Sequence, residues 1–471
     1  MNKIMQQKEC ALKVVRTLQD QGFPAFFAGG CVRDRLLGRD PKDYDVATSA
    51  RPEQVEALFP KTLSIGKAFG VIAVVDKKTT VEVATFRREA GTLDGRHPET
   101  VHFCSAEEDA LRRDFTINGM FYDPLSDQLH DYVNGQRDLE KRIIRAIGSP
   151  AERFEEDHLR MLRAVRFTHT LGFALDPATE NAIREMSHLI SRVSIERIEA
   201  VLTRTLTESL RPGDALQHLF DLGLLGHFMP ELVPMAGQEQ PPRFHPEGDV
   251  FEHTCLMLNL MNSKQSGKSV PHVRQASLPA HQGKKPAYTA RELAYTVLLH
   301  DVGKPPTASI GPGTDGKPRI RFDGHAGASA EMAEEILTRL KFPNREKNAI
   351  VAAIRGHMRF MEVQNMRASK LRRMIGAETF DLEMELHRLD CQGSHGMLDN
   401  YHFVENYRKE MASEPMLPEA WISGHDLIAM DIREGRLIGR ILKEAYDAQM
   451  EGRFADREEL LDWIRTSYPS E

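Results

Sequence analysis

Two aspartates separated by one residue, shortly after a glycine pair, are the clearest chemical signal in this sequence. The run AGGCVRDRLLGRDPKDYDVAT contains Gly29 and Gly30, then Arg33, then Asp43 and Asp45. Glycines let backbone N–H groups approach an anion at the positive end of a helix, and an arginine in the first turn adds a forked donor for phosphate. The pattern predicts a site for a nucleoside triphosphate.

The two aspartates predict a magnesium site on a β-strand. Positions i and i+2 of a strand share one face, so Asp43 and Asp45 are expected on one side and Tyr44 on the other. Paired carboxylates hold one or two Mg²⁺ ions, which activate an attacking hydroxyl and neutralise charge on the phosphate and the leaving pyrophosphate. Glu82, in TVEVATF on another predicted strand, is either a third metal ligand or part of a solvated face. The chemistry implied is nucleotidyl transfer.

A second set of metal ligands lies in the latter half of the chain. It is spread over HPEGDVFEHT, TVLLHDVGKP, FDGHAG and IRGHMRF, and it comprises His253, His300, Asp301, His325, His357 and Asp390. Imidazole and carboxylate groups together suit Mn, Fe, Ni, Mg or Zn. Burying the adjacent His300 and Asp301 without a metal would cost several kcal/mol unless each is hydrogen-bonded. Lys304, close behind, is either a phosphate contact or a surface lysine.

The elements that must position these residues are of two kinds. Residues 20–135 mix helical stretches with short apolar runs, and strands are predicted in FPAFFAGG, DYDVAT, VIAVV and TVEVATF. From about residue 137 apolar residues recur at helical spacing, as in IERIEAVLTRTLTESL and ARELAYTVLLHD, so an all-α remainder is predicted. The fold class is therefore α+β, with a small α/β head on a long helical body.

The composition is that of an ordinary soluble protein with several domains. The 471 residues are 41% hydrophobic and 28% charged, and no run reaches the roughly eighteen apolar residues of a membrane helix. The N-terminus lacks the pattern of a secretory signal and the five cysteines lie far apart, so we expect a cytoplasmic protein with no membrane partner. Because the net charge is −7, any RNA site must be a local basic surface. Segment 263–289, with five basic residues and no acidic one, is interpreted as a solvated insertion, with an RNA-contacting loop as the alternative.

Four strings together resemble the class II tRNA nucleotidyltransferases. They are AGGCVRDRLLGRDPKDYDVAT, VEVATFRRE, DGRHPETVHF and LRRDFTINGM, and the resemblance is dense over residues 20–210. The family comprises the CCA-adding enzymes and their bacterial poly(A) polymerase relatives, within the DNA polymerase β-like superfamily. The implied domains are a nucleotidyltransferase head (1–145), a helical neck for nucleotide selection and RNA binding (146–235), an HD-type phosphohydrolase domain (236–365) and a helical tail that binds tRNA (366–471).

The resemblance also implies roles for individual residues. The RRDFT element of the family recognises the ribose and phosphates of the incoming nucleotide, and the EDxxR motif reads its base from one rigid helix. The implied nucleotide-binding residues are Gly29, Gly30, Arg33, Arg112, Arg113, Asp114, Asn118, Glu156, Asp157, Arg160, Arg163 and Arg166. Without the resemblance, RRD also fits a salt-bridged turn, and Glu156 with Arg160 fits an i,i+4 ion pair. Glu196 and Arg197 are expected to support the base-reading helix.

The function implied is template-independent addition of CCA to the 3′ end of tRNA from CTP and ATP. The head would use Mg²⁺, and the HD domain would use Ni, Mn, Fe, Zn or Mg²⁺ to hydrolyse phosphate esters, unless it is an inactive scaffold. A loop with Arg87, Asp94 and Arg96 favours full CCA addition. The alternatives are partial addition of CC or A, poly(A) synthesis, or an HD phosphohydrolase in RNA end repair with an inactive head. Monomer and homodimer both remain open.

Overall fold

The computed structural model describes residues 3–77, 79–92, 98–261, 287–312, 318–433 and 435–468. Along the described chain, one compact unit ends at Val233 and a second begins at Pro234. Asp94, Arg96 and most of segment 263–289 lie outside the described residues. No helix in the described ranges is long and apolar enough to cross a membrane.

The first part of unit 1 is built on a seven-stranded sheet. Its elements are α1 (Lys3–Asp20), β1 (Ala25–Ala28), α2 (Gly30–Leu36), β2 (Asp45–Thr48), α3 (Pro52–Leu58), β3 (Thr62–Gly66), β4 (Val71–Asp76), β5 (Thr79–Thr85), β6 (Arg87–Thr92), β7 (Pro98–Phe103), α4 (Ala106–Leu111), β8 (Phe121–Asp123), β9 (Gln128–His130) and α5 (Gly135–Lys141). The strand order is β3-β4-β5-β2-β1-β8-β9, in which β2 and β5 run parallel and the other neighbours antiparallel. Strands β6 and β7 form a separate antiparallel pair.

The four apolar runs predicted to be strands are confirmed as β1, β2, β4 and β5. In β5, Val81 and Val83 are buried while Glu82 between them is exposed, which is the period-2 alternation of a half-buried strand. Phe86 and Phe121 pack edge to face below the sheet with ring centroids 5.7 Å apart, and both are fully buried. Burying each such ring contributes roughly 1.5–3 kcal/mol, so this core holds the strand ends in fixed positions.

The second part of unit 1 is mainly helical. Its elements are β10 (Ile143–Ile144), α6 (Pro150–Glu156), α7 (Leu159–Leu171), β11 (Ala174–Leu175), α8 (Pro177–Met186), α9 (Ile195–Glu208) and α10 (Pro212–Asp221). Helix α9 buries Ile198, Val201, Leu202 and Leu206, which recur at helical spacing along one face, so one apolar stripe faces its neighbours. Helices α7, α9 and α10 pack against one another.

Unit 2 is a helical array with one short hairpin. Its elements are α11 (Val250–Met261), α12 (Ala290–Leu299), α13 (Lys304–Thr307), β12 (Ser309–Pro312), β13 (Pro318–Arg321), α14 (His325–Arg339), α15 (Asn344–Gly356), α16 (Ala368–Ile375), α17 (Phe380–Gly393), α18 (Asp399–Glu410), α19 (Gly424–Ile428), α20 (Arg436–Met450) and α21 (Arg457–Ser467). The α+β class is confirmed. The all-α prediction beyond residue 137 misses the β10–β11 and β12–β13 pairs, because strands of two to four residues are too short to show a periodic pattern.

Helix α12 begins at a capping box, which fixes the start of the helix and therefore the positions of the residues that follow its C-terminal end. Thr289 Oγ1 accepts the N–H of Glu292 at 3.1 Å, and the Glu292 carboxylate accepts the N–H of Thr289 at 2.6 Å. The helix then buries every side chain from Leu293 to Leu299. A helix fixed at its start and buried on all sides carries His300 and Asp301 into the interior of unit 2.

Candidate active sites

A cavity of about 690 Å³ opens in unit 1. It is lined by predicted residues, which are Gly29, Gly30, Arg33, Asp43, Asp45, Arg112, Arg113, Asp114, Asn118, Asp157, Arg160, Arg163 and Arg166. Glu82 and Glu156 are not among its lining residues. Arginines and lysines outnumber acidic residues in the lining, although the whole chain carries a net charge of −7. The cavity is therefore a local basic surface with an acidic corner.

The glycine turn joins β1 to α2 at one wall of this cavity. Gly29 has φ +70° and ψ −128°, a conformation that L side chains rarely adopt, and α2 begins at the next residue. In the first turn of α2, Arg33 donates to Asp34 Oδ1 at 2.7 and 2.8 Å and to Asn118 Oδ1 at 2.8 Å. Gly38, with φ +67°, follows the end of the helix.

The paired aspartates stand at the start of β2. Asp45 is the first residue of that strand and Asp43 lies in the loop before it, so the prediction that both sit on the strand is only half right. The alternation nevertheless extends into the loop, since Tyr44 is buried and both aspartates are exposed. Val46 pairs with Val83 across the parallel strands, which places Glu82 beside Asp45. Three carboxylates thus share this region.

Among these carboxylates, Asp45 is the one whose ionisation the surroundings oppose most clearly. Solvent reaches Asp45 through the cavity, yet protein atoms surround it on the other sides, and this burial raises its pKa to about 7, with help from the charges of Asp43 and Glu82. Like charges held together in a partly enclosed site are the setting in which a divalent cation binds well. These three residues fit Mg²⁺.

Magnesium binding to the head is expected to strengthen as the pH rises through about 7. The folded protein holds a proton on Asp45 that the unfolded chain, with its ordinary pKa near 3.8, has already released. The metal-free protein therefore loses stability as the pH rises from about 4 to about 7, and below pH 7 Mg²⁺ must displace that proton. Thermal denaturation at pH 6 and pH 8, with and without Mg²⁺, checks this: the Mg²⁺-induced rise in Tm is larger at pH 8.

Asp45→Asn removes this pH dependence, whereas Asp20→Asn at the exposed end of α1 leaves it intact. Equal Mg²⁺-induced shifts at both pH values in the wild type would contradict the prediction.

A buried carboxylate that the sequence did not single out holds the RRD arginines. Asp109, on α4, is 1% exposed. Arg112 donates to its Oδ1 at 2.6 and 2.9 Å, and Arg113 donates to its Oδ2 at 3.0 and 3.1 Å. The sequence could have indicated this role, because Asp109 precedes Arg112 by three residues and Arg113 by four, the spacing at which side chains of a helix form ion pairs. Asp109 fixes the direction of both guanidinium groups.

Asp114 and Asn118 are bound to other predicted site residues. Asp114 accepts from Arg163 Nε at 2.9 Å, from the N–H of Phe115 at 2.8 Å and from Asn118 Nδ2 at 3.1 Å. Burial alone would raise the pKa of Asp114, but the Arg163 guanidinium and these hydrogen bonds hold it at about 2. The carboxylate is ionised at neutral pH and forms a fixed acceptor at the cavity wall.

The EDxxR motif lies across a break between two helices. Glu156 is the last residue of α6, Asp157 has an extended backbone (φ −151°, ψ 102°), and α7 begins at Leu159. The prediction of one rigid helix carrying all three motif residues is wrong. The reason is that Asp157 Oδ1 accepts the N–H of Leu159 at 3.1 Å, and aspartate favours such a position at a helix start over the interior.

Two of the three motif residues reach the cavity. Arg160 donates to Glu156 Oε2 at 2.8 Å, which is the predicted i,i+4 ion pair, and to the carbonyl of Arg112 at 2.9 Å. Asp157 accepts from Arg197 at 2.8 Å, so a residue of α9 supports the start of α7. Asp157 and Arg160 line the cavity with Arg197, while Glu156 holds Arg160 from behind.

The second set of predicted ligands forms a buried cluster in unit 2. Ligand atoms of His253, His300 and Asp301 lie within 4.8 Å of one another, and so do those of Asp301, His325 and His357. Asp390 Oδ1 lies 3.2 Å from His253 Nε2. The structure therefore brings all six residues together, with Asp301 shared by both groups.

The free atoms of this cluster fit a divalent cation. His300, His325 and His357 each place Nδ1 2.6–2.8 Å from a backbone carbonyl, so Nδ1 donates and a neutral ring has a bare Nε2. The Nε2 atoms of His325 and His357 lie 3.2 Å apart, and two lone pairs at that distance repel unless a cation or proton intervenes. Burial lowers the pKa of His357 to about 4, which keeps the ring in its metal-binding form.

Unpaired atoms point to the same conclusion. Asp301 Oδ1 and the Nε2 atoms of His253 and His300 are buried, and within the described ranges they make no aligned hydrogen bond. Other members of the cluster lie close to them: Asp390 Oδ1 is 3.2 Å from His253 Nε2, and Asp301 Oδ2 is 3.1 Å from His300 Nε2. Buried polar atoms without partners are costly, and metal coordination satisfies them. The donor set therefore fits one or two metal ions.

Residues around the cluster orient the ligands. Glu247 Oε1 accepts from His253 Nδ1 at 2.6 Å and from His245 Nδ1 at 2.8 Å, and neither Glu247 nor His245 was predicted, although both stand in HPEGDVFEH. Lys304 is 6% exposed and donates to Asp301 Oδ2 at 2.7 Å and to Gln240 Oε1 at 2.6 Å. Its interpretation as a surface lysine is wrong. Such contacts fix ring orientation and carboxylate direction.

Comparisons with known families agree with this arrangement. Residues 25–145 match the poly A polymerase head domain, residues 172–235 match the probable RNA and SrmB-binding site of polymerase A, and residues 275–389 match the HD domain. The fold and the two sites thus define a protein with a polymerase-type nucleotidyltransferase head joined to an HD domain.

The curated relatives give the particular family. The chain is 45% identical over 215 residues to the CCA-adding enzyme of Bacillus subtilis (strain 168), an alignment covering 45% of this chain and 54% of that protein. It is 36% identical over 282 residues to the CCA-adding enzyme of Lactobacillus johnsonii, covering 58% of this chain and 68% of that protein. The chain belongs to the CCA-adding enzyme family, which confirms the resemblance seen in the sequence. With the first of these relatives, the alignment spans about half of the relative's length.

Solved structures resemble the chain over nearly all of its length. The Bacillus stearothermophilus CCA-adding enzyme in complex with CTP is 26% identical, with a TM-score of 0.68 and coverage of 99% of both chains. The Thermotoga maritima CCA-adding enzyme complexed with tRNA is 18% identical, with a TM-score of 0.59 and coverage of 98% of this chain and 95% of that chain. The latter likeness shows a shared fold only.

Proposed function

We propose that this protein adds CCA to the 3′ end of tRNA from CTP and ATP without a nucleic-acid template. The observation that carries the proposal is the single cavity lined by the glycine turn, Asp43 and Asp45, and the pair Asp157 and Arg160. A triphosphate cradle, a metal site and base-edge donors and acceptors in one space are what template-independent nucleotidyl transfer requires. The CCA-adding enzymes among the relatives support the same function.

In this proposal each wall of the cavity has one task. Mg²⁺ held by Asp43 and Asp45, with Glu82 nearby, would activate the 3′-hydroxyl of tRNA and neutralise the phosphates. Arg113, fixed by Asp109, and the glycine turn orient the triphosphate, and Asp114 with Asn118 faces the ribose. Arg160 and Asp157 present donors and acceptors to the Watson–Crick edge of C or A.

The domain assignment 1–145, 146–235, 236–365 and 366–471 forms part of the proposal, with tRNA bound by neck and tail. A basic groove in unit 2 supports a role for the tail in RNA binding. Its cationic lining residues are Arg359, Arg367, Lys370, Arg373 and Lys443. The oligomeric state and the cytoplasmic location stay predictions.

The direct test is incubation of the protein with a tRNA transcript that lacks its last three nucleotides, supplying each labelled nucleoside triphosphate in turn. The expected product gains two C and, with ATP also present, one A, and then stops. Incorporation of neither C nor A would remove the proposal. Addition of CC alone, of A alone, or of an unlimited A tail would move the protein to partial addition or poly(A) synthesis.

Arg160→Ala is expected to weaken discrimination between CTP and UTP by about 10- to 100-fold. A well-placed pair of hydrogen bonds to a base edge is worth about 1–3 kcal/mol of selectivity. Steady-state kcat/KM for all four nucleotides measures the effect. Glu156→Gln is the matched comparison, because it loses the 2.8 Å ion pair to Arg160 but leaves the cavity lining unchanged. Selectivity lost equally in both variants would mean that Arg160 acts only through that ion pair.

For the buried cluster of unit 2 we propose one or two divalent cations, chosen from Ni, Mn, Fe, Zn and Mg, and hydrolysis of phosphate esters such as 2′,3′-cyclic or 2′-phosphates at RNA ends. The unpaired Nε2 and Oδ1 atoms that converge there support this proposal. Metal ions in such a site activate water for attack on phosphorus.

A further inference from the structure

Arg166 is a buried cation that forms no ion pair with the described residues. It lies on α7, is 3% exposed and lines the cavity of unit 1. Its Nε has no hydrogen-bond partner, and none of the described residues forms an ion pair with its guanidinium. A buried charge left without a partner is destabilising, and such a charge at a cavity wall is a candidate site for binding an anionic ligand.

Neighbouring cations make the burial of the charged Arg166 side chain without an anion still less favourable. Three guanidinium carbons lie near the Phe167 ring, that of Arg166 at 4.4 Å from the centroid, Arg33 at 5.3 Å and Arg163 at 5.4 Å. Arg33 is balanced by Asp34 and Arg163 by Asp114. Burial, together with the neighbouring Arg163 and Arg204, lowers the pKa of Arg166 to about 9. The charges of Glu208 and Asp114 act on Arg166 in the opposite direction, but among the three cations around this ring Arg166 is the one that forms no direct ion pair with a described residue.

The position of Arg166 indicates which anion it meets. Arg166 follows Arg160 by six residues, about 9 Å along the helix axis, so it lies beyond the proposed base-reading end of α7. At the same side of the cavity, Lys42 and Arg204 share Glu208, and their side chains are 74% and 53% exposed. When the end of a polynucleotide strand enters the cavity, the rest of the strand remains in solvent. That strand must therefore pass the exposed basic residues at the edge of the cavity. A mononucleotide held at the glycine turn has no such requirement.

We propose that Arg166, with Lys42 and Arg204 at the solvent edge, binds a phosphodiester group of the acceptor RNA strand, separately from the triphosphate of the incoming nucleotide. The contact holds the strand so that its terminal hydroxyl faces Asp43 and Asp45. This inference rests on the proposed function in that it takes RNA as the acceptor.

Arg166→Met tests the proposal through RNA binding in the absence of nucleotides. The probe is a tRNA transcript without its last three nucleotides, and affinity is measured by fluorescence anisotropy over a range of KCl concentrations. Loss of one phosphate contact to a single strand is expected to reduce the slope of log K against log salt by about 0.7. In steady-state addition, KM for this tRNA rises while KM for CTP stays the same. Arg166→Lys, which keeps the charge, restores part of the affinity.

Thermal denaturation separates binding from a structural role. Because Arg166 is an unbalanced buried charge, its replacement by methionine is expected to raise the Tm of the free protein. Arg16→Met, at an exposed position of α1, serves as the control and changes neither Tm nor RNA affinity. A lower Tm for Arg166→Met would make the residue structural and overturn the proposal.

The remaining outcomes also decide the question. An increase in KM for CTP with unchanged RNA affinity would assign Arg166 to the triphosphate and overturn the proposal. If the wild type adds no nucleotide to any tRNA but its RNA binding still shows the Arg166-dependent salt slope, CCA addition fails as the function and the phosphodiester site stands.

Discussion

Replacing Asp45 by asparagine is expected to reduce nucleotide addition by about three orders of magnitude. Bound metal contributes several kcal/mol of charge stabilisation in the transition state, and each 1.4 kcal/mol is about tenfold in rate. Asparagine keeps the size of the side chain at the start of β2 but removes its charge, so metal binding by the carboxylates is lost while the strand pairing remains. Single-turnover incorporation of labelled CTP, at saturating tRNA and Mg²⁺, measures the effect.

Two further measurements distinguish this result from misfolding. Asp45→Asn is expected to raise the Tm of the metal-free protein at pH 8, because it relieves repulsion with Asp43 and Glu82. Phosphohydrolysis is expected to be unaffected, since the buried His and Asp cluster belongs to unit 2. Near-normal transfer by the variant would exclude Asp45 from the metal site, and a fall in Tm would show that its effect arises from the fold.

Asp301→Asn is expected to remove metal from unit 2 and to lower phosphoester hydrolysis by at least about 100-fold. Loss of residues that merely orient metal ligands costs about 10- to 100-fold, and Asp301 itself belongs to both ligand groups. Metal content after dialysis, hydrolysis of a 2′,3′-cyclic nucleotide and the rise in Tm on adding Mn²⁺ or Ni²⁺ are the readouts. In the wild type, a metal at 100 times its Kd should stabilise the fold by about 2.7 kcal/mol.

The complementary control is nucleotide addition, which Asp301→Asn is expected to leave unchanged. Asp462→Asn, whose side chain is 73% exposed on α21, should alter neither activity. Unchanged metal content in Asp301→Asn would contradict the assignment of this residue as a ligand. A wild-type protein that binds no metal would make the HD domain a scaffold.

Periodicity predicted the regular elements well and their interruptions poorly. Strands β1, β2, β4 and β5 and helices α9 and α12 lie where apolar spacing places them. The break at Asp157 was missed, because the competition of one carboxylate for the N–H of Leu159 leaves no trace in hydrophobic spacing. The four-residue strands β12 and β13 were missed for a related reason, since so short a run has no measurable period.

The sequence identified residues that could do chemistry but not the residues that hold them. Residue types and order indicated Asp43, Asp45 and the six cluster ligands, which the fold brings together in two places. Glu247 and Asp109 were overlooked, because an acidic residue next to a motif is usually solvated and only the fold shows what it accepts from. Lys304 illustrates the same gap, since its burial beside Gln240 depends on a contact across 64 positions of the chain.

The two arginines that share Asp109 cannot change independently of each other. Oδ1 of that buried carboxylate accepts from Arg112 and from the backbone N–H of Arg87 at 3.2 Å, and Oδ2 accepts from Arg113. Loss of either arginine leaves one oxygen of the buried carboxylate without its guanidinium partner. Loss of the aspartate removes the ion pairs of both arginines at once. Substitutions at positions 109, 112 and 113 are therefore expected to have non-additive effects on stability, because the three side chains share one set of hydrogen bonds.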